Sequence, residues 1–191
     1  MKLRPSKRID FSVAMIADLL RSQPTNLMSA FYEMQSSFLI GVYKKYLNIE
    51  TANIISCFAR RTHLEILRQR EKNLDHDISF DNFWNNYNTI DKPTEKIISL
   101  AKLTGLPKET TRRKVVNLIK KNLISVNDHK EYYWSISQKN QDDFSKNTND
   151  EILFLSKFVN SFTNYLNIDM SQKKIENEIK SQFSFYWFHF L

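Results

Sequence analysis

The stretch from Thr94 to Leu123 constrains this chain most. Its core reads Ile97-Ile-Ser-Leu-Ala-Lys-Leu-Thr-Gly105-Leu-Pro107-Lys-Glu-Thr-Thr-Arg-Arg-Lys-Val-Val-Asn-Leu-Ile-Lys-Lys-Asn-Leu123. Apolar residues at Ile97, Ile98, Leu100, Ala101 and Leu103 mark one short amphipathic helix. Val115, Leu118, Ile119 and Leu123 mark a second. Between them stands Gly105-Leu106-Pro107. The chain has only two glycines, and one of them falls where a helix must stop in a left-handed residue. Pro107 is placed to start the next helix, because a first-turn residue needs no N–H partner. The spacing predicts helix, tight turn, helix.

At 100° per residue the second helix separates into two faces. Thr111, Val115, Leu118, Ile119 and Asn122 fall on one side, with Leu123 at the end. Glu109, Arg113, Val116, Asn117 and Lys120 lie opposite, flanked by Thr110, Arg112, Lys114 and Lys121. The outer face is basic and rich in hydrogen-bonding groups, which suits the major groove of DNA.

The pattern Leu100-Ala101-x-x-x-Gly105-Leu106-Pro107-x-x-Thr110-x-Arg112-Arg113-x-Val115-x-x-Leu118-x-x-x-x-Leu123-Ile124 resembles the helix-turn-helix of bacterial winged-helix transcription regulators. Those families carry Ala in the first helix, Gly in the turn and Thr-x-Arg-Arg at the start of the recognition helix. The resemblance covers about residues 80–137. It departs at Thr111, where a branched aliphatic residue is usual, and at Asn122, where glycine usually ends the helix. It implies a winged helix and DNA binding.

Charge supports the same reading. The chain carries a formal net charge of +7. Residues 98–125 contain Lys102, Lys108, Arg112, Arg113, Lys114, Lys120 and Lys121 against Glu109 alone, so this window supplies nearly all of the excess. Lysine is abundant throughout and arginine is not. Two adjacent arginines opening the helix therefore stand out, since guanidinium pairs bidentately with guanine or phosphate.

Before this stretch, Met1–Asp10 is a short basic segment, readable as a minor-groove arm or a frayed terminus. The pattern predicts a short helix over Phe11–Arg21, a break at Ser22–Asn26, and a long helix over Leu27–Asn48 whose start Thr25 or Asn26 can cap. A further helix, capped by Thr51, runs to about Lys72. Its arginines alternate with Glu65 and Glu71, which reads as a solvated face. These helices read either as a dimer interface or as a self-contained core that orients the basic helix. Leu74–Ser79 reads as a polar linker, and Phe80–Tyr87 as a short aromatic helix capped by Ser79 or Asp81.

After Leu123 the period changes to two. Ile124–Val126 and Glu131–Ile136 flank Asn127-Asp128, which predicts a β-hairpin with His129 and Lys130 at its tip. The residues 138–150 are polar and read as a linker. Glu151–Asn167 and Met170–Gln182 read as helices. Tyr165-Leu-Asn-Ile-Asp169 echoes Tyr46-Leu-Asn-Ile-Glu50, either a duplication or chance. The apolar end Phe183–Leu191 calls for burial in a core or against a partner, unless the chain is a fragment. The expected organisation is a helical region over 1–78, a winged helix over 79–137, a linker over 138–150 and a helical region over 151–191. The fold class is mainly α with a small hairpin.

The residue inventory excludes several chemistries. Two glycines leave no phosphate loop or dinucleotide fingerprint. One cysteine, Cys57, leaves no disulfide framework and reads as a buried thiol. The four histidines show no metal-ligand spacing, and no nucleophile elbow or paired-carboxylate signature is present. No stretch has the length of a membrane span and no signal peptide is evident, so a cytoplasmic protein without cofactor or catalytic activity is expected. The reading is a sequence-specific regulator of double-stranded DNA, acting as a homodimer. Arg112 and Arg113 contact bases or phosphates, and Thr110 and Lys102 hold the backbone. Asn117 and Lys120 reach further along, Lys108 and Lys121 flank the helix, and His129 and Lys130 approach phosphate or minor groove. The alternative is a protein-interaction module on the same scaffold; an RNA-binding role is a third reading. No residue marks a small-molecule effector site.

Overall fold

A computed structural model describes residues 12–46 and 48–191. The basic segment Met1–Asp10 and the predicted helix start at Phe11 lie outside the described residues. Within them the chain is mainly helical with one small antiparallel sheet. The order is α1 (Val13–Ser22), α2 (Pro24–Tyr46), α3 (Ile49–Lys72), α4 (Phe80–Asn85), α5 (Ile97–Thr104), α6 (Lys108–Lys120), β1 (Ile124–Val126), β2 (Tyr132–Trp134), α7 (Gln138–Tyr165), α8 (Gln172–Ser181) and α9 (Phe183–Phe190).

Helix starts depart from the sequence reading by about a turn. The stretch Ser22–Asn26 is not a break, because Pro24 opens α2 and only Gln23 interrupts the helical run. A proline at the first helical position sacrifices no hydrogen bond. Likewise α3 is capped by Asn48 rather than Thr51. The Asn48 side chain accepts the Thr51 N–H at 2.8 Å, so Thr51 lies inside the first turn. Ser79 caps α4 as expected, accepting from Asn82 N–H at 3.2 Å.

The largest correction concerns residues 138–150. They are not a linker but the first half of α7, a helix of 28 residues and roughly 42 Å. Ser137 caps it, its side chain accepting from Asn140 N–H. The buried stripe is Gln141, Phe144, Thr148, Ile152, Ser156 and Thr163. That spacing is helical, yet most of its members are polar, so hydrophobic periodicity alone does not reveal it. Gln141 is satisfied inside, donating to the Ile136 carbonyl at 3.2 Å and to Asn88 at 2.9 Å.

A single hydrophobic cluster joins α3 to α9, with Phe58, Phe83, Leu100, Leu118, Trp134 and Phe183 among its buried members. Helix α3 is its axis and packs on α2, α5, α6, α9 and β2. The aromatic terminus enters this core through Phe183 and Trp187, while Phe185 stays exposed. Phe183 meets Phe80 and Phe83 edge-on at 5.2 and 5.4 Å, and His63 stacks on Phe83 at 4.7 Å. Burying a phenylalanine such as Phe83 or Phe183 contributes roughly 1.5–3 kcal/mol. The two echo segments play different roles. Asn48 is extended and begins a helix, whereas Asn167 is left-handed at φ 52 and ends one.

Candidate nucleic-acid interface

Gly105 closes α5 at φ 69 and ψ 7. A side chain there would meet nothing within 4 Å, so the glycine answers to backbone conformation and not to space. Pro107 sits one position before the helix, as the cap of α6, and its carbonyl accepts both the Thr111 N–H at 2.9 Å and the Thr111 hydroxyl at 3.1 Å. This explains how a threonine occupies a fully buried position: its methyl packs and its hydroxyl is satisfied.

Thr111, Val115 and Leu118 are buried, as the helical wheel predicts. At the far end Asn122 takes φ 56 and supplies the left-handed residue itself. Leu123 N–H donates to the Leu118 carbonyl at 3.0 Å and Asn122 N–H to Ile119 at 2.9 Å, the paired bonds of a Schellman stop. The same end is clamped to α7, because Asn140 donates to the carbonyls of Lys121 and Asn122 at 3.1 and 3.2 Å. Both ends of α6 are thus fixed by backbone geometry.

The outward face carries the predicted residues. Lys108, Arg112, Arg113, Asn117, Lys120 and Lys121 are exposed on α6, Thr110 is half-buried at its edge, and Lys102 is exposed on α5. They do not carry equal charge outward. Arg112 is held by Glu109 in a two-point contact, its Nε at 2.9 Å and its Nη2 at 2.5 Å from the carboxylate oxygens. That bond holds the Glu109 carboxyl below its ordinary range and raises the guanidinium above its own. Lys114, read as flanking the outer face, turns inward instead. Its ammonium lies 2.8 Å from Glu50 and 3.2 Å from the Asn48 side chain, tying α6 to the start of α3. Among the described residues no ion pair engages Lys102, Lys108, Arg113, Lys120 or Lys121.

The hairpin forms where predicted, with Ile124 opposite Trp134 and Val126 opposite Tyr132. Asn127 shapes its tip: its side chain accepts from His129 N–H at 3.0 Å and Glu131 N–H at 2.9 Å. Lys130 takes the left-handed conformation at φ 59. His129 and Lys130 are both exposed. Glu131 beside them accepts from the Thr94 hydroxyl at 2.9 Å, and this bond and the one from Asn127 hold its carboxyl below the usual range.

Residue 95 extends this small sheet by one bridge. Glu95 exchanges both backbone hydrogen bonds with Tyr132, at 2.7 and 2.8 Å. Its buried carboxylate pairs with Arg61 of α3. Arg61 therefore serves the core, and Arg70 likewise donates to the His76 carbonyl at 2.8 Å, so the arginines of α3 are not simply a solvated face. The bridge also brings Lys96 within 3.7 Å of Glu131. Lys96 is an exposed cation at the base of the hairpin that sequence spacing does not single out, since its position depends on a pairing 37 residues away.

Among the described residues no group of three His, Cys, Asp or Glu side chains could hold a metal ion. Likewise no helix there is long and apolar enough to cross a membrane. Cys57 is half-buried rather than buried, and burial pushes its thiol up. Compared with known proteins, the chain matches no family model, and no curated protein and no solved structure shows significant similarity to it.

Proposed function

We propose that residues 79–137 are a winged helix-turn-helix and that the protein is a sequence-specific regulator of transcription, reading double-stranded DNA with α6. The element order supports the fold reading: α4, the bridge at Glu95, α5, the Gly105 turn, α6 and then the hairpin. The observation that carries the function is the division of α6. Its inner face is spent on the core, while Arg113, Asn117 and Lys120 stand exposed with no packing role and no ionic partner among the described residues. A helix of 13 residues, roughly 20 Å long, suits a major groove about 12 Å wide. Arg112 and Arg113 address bases or phosphates, Lys108, Lys120 and Lys121 the backbone, and His129 and Lys130 the flanking groove. The protein acts in the cytoplasm, without cofactor or catalytic activity.

A homodimer fits this reading, because two-fold proteins read palindromic sites. Tyr32, Ile40 and Tyr43 are exposed along α2 and offer apolar surface for it. The test is anisotropy of labelled random duplexes across a salt series, for the wild type and for Arg112→Ala/Arg113→Ala. A steep salt slope that flattens in the double variant supports the proposal. Absence of binding at low salt overturns it and leaves the protein-interaction reading.

A further inference from the structure

The core contains a cavity that the DNA reading does not use. It measures about 70 Å³ and is bounded by α2, α3, α4, β2, α7 and α9. Its wall is aromatic, with Phe83, Trp84, Trp134, Phe144, Phe183 and Trp187 around it. Protein interiors rarely hold a void much larger than a water molecule. This one is about half the size of the ~150 Å³ apolar cavity that accepts benzene in another protein.

Its chemistry is one-sided. The indole N–H groups of Trp84 and Trp134 are buried and have no hydrogen-bond partner. Trp134 as a whole is only 3% exposed. An unmet buried donor is costly, and native cores seldom keep one. Lys45 and Glu151 also line the cavity. Lys45 lies 3.3 Å over the Phe144 ring, and burial lowers its ammonium to about 8. Burial raises the Glu151 carboxyl to about 7, Lys45 opposing that rise. Gly41 borders both the cavity and a surface crevice between α2 and α7. A Cβ at Gly41 would make only ordinary contact, 3.9 Å from Glu151, so space for alanine exists although a mid-helix glycine costs roughly 1 kcal/mol in propensity.

We infer that this cavity is a binding site for a small uncharged carbonyl compound, its oxygen accepting from an unmet indole N–H of Trp84 or Trp134 and its apolar body lying among the aromatic rings. An acceptor is required because the unmet groups are donors only. A neutral ligand is favoured because a charge in an aromatic cavity is heavily penalised by desolvation. The size limits the ligand to about three or four heavy atoms, by comparison with benzene. The site also touches the hairpin directly. Trp134 pairs with Ile124, two residues beyond the Asn122 stop of α6, and its carbonyl accepts the Tyr87 hydroxyl at 3.1 Å. Occupancy would therefore bear on the hairpin's inner strand. The inference does not depend on DNA binding.

The test uses the full chain and the three indole N–H signals in a nitrogen-15 correlation spectrum, assigned through Trp84→Phe and Trp134→Phe. Acetone and acetamide are the probes, and xenon is the apolar control. The expected result is a saturable downfield shift of the Trp84 or Trp134 signal that exceeds the shift at Trp187. The dissociation constant for such small probes is no tighter than roughly tens of micromolar. Trp84→Phe or Trp134→Phe, whichever removes the shifted indole, weakens binding about fivefold to tenfold, as loss of one hydrogen bond requires. Gly41→Leu, which keeps both donors and puts a bulky side chain at the cavity's border, abolishes the shift and serves as the test if an indole variant fails to fold. Linear, unsaturable shifts overturn the inference. So does saturation by xenon without a response to acetone, or a long-lived water on the indoles that the probes do not displace.

Discussion

Glu109 restrains the candidate DNA surface, and neutralising it should strengthen binding. Glu109 is the one acid among the outward residues of α6, and its carboxylate occupies two nitrogens of the Arg112 guanidinium. In that state Arg112 offers little free charge, and on a bound duplex Glu109 would itself face the phosphates. Glu109→Gln removes one negative charge and frees one positive one. Five cations remain without an ion-pair partner among the described residues: Lys102, Lys108, Arg113, Lys120 and Lys121. If three to five reach phosphates, log K against log salt has a slope of about −2.7 to −4.5 per protomer. Affinity then falls roughly 40- to 500-fold between 50 and 200 mM salt. Glu109→Gln should steepen the slope by about 0.9, one further phosphate contact, and tighten binding most at low salt. Arg113→Ala provides the opposite sign. If Arg113 reads a guanine, its loss costs about 1–3 kcal/mol at the preferred site and leaves the slope unchanged. If it holds a phosphate, all sequences weaken together and the slope flattens by about 0.9. Fluorescence anisotropy on a selected duplex at four salt concentrations resolves these outcomes. Weaker binding by Glu109→Gln, or a slope near zero in the wild type, refutes the reasoning.

Three other variants probe the scaffold. Gly105→Ala forces an alanine to φ 69 and should destabilise by about 1–2 kcal/mol in urea unfolding, with no steric part because nothing lies near the added methyl. Thr111→Val keeps the shape and removes a hydroxyl whose acceptor, the Pro107 carbonyl, still receives the Thr111 N–H; unfolding free energy should change by less than about 1 kcal/mol. His63 gives a pH test. Burial lowers its imidazole from 6.5 to about 3, so the unfolded chain binds this proton where the folded chain does not. Its contribution is complete above about pH 6.5 and is lost as pH falls toward 3, up to roughly 5 kcal/mol in all. Glu151 acts oppositely, since a raised carboxyl favours the folded state below 4.5 and loses that advantage by about 7. Comparing wild type with His63→Phe isolates the first effect: stability of the variant should fall less steeply between pH 6.5 and 4, and parallel curves would refute the assignment.

How much of this was legible in the sequence depends on the range of the forces involved. The turn between α5 and α6 is local. A glycine in a left-handed stop, a proline beside the first turn and apolar residues at helical spacing act within a few residues; Gly105 stands where the sequence reading puts it, Pro107 falls one position earlier as the cap, and Ile98 and Leu103 of the apolar set stay exposed. The hairpin is legible for the same reason, since Asn127 organises its own tip. Polar burial is not legible this way. Helix α7 hides a core-facing stripe in Gln141, Thr148 and Ser156, which count as polar in any periodicity, and Gln141 is satisfied there by Asn88 and the Ile136 carbonyl. Charge shows the same limit. Sequence counts seven cations between Ile98 and Ser125, but Lys114 is committed to Glu50 of α3 and Arg112 to Glu109, so the exposed charge is smaller and differently centred. Lys96 enters the surface only through the bridge from Glu95 to Tyr132. Backbone signals thus place the elements, while long-range ion pairs decide which cations face outward. It follows that Lys114→Ala should leave the salt slope of DNA binding unaltered and instead loosen α6 from α3, whereas Lys120→Ala should flatten the slope and leave stability within about 0.5 kcal/mol of wild type. If the two variants exchange these effects, the outward face of α6 has been drawn on the wrong side.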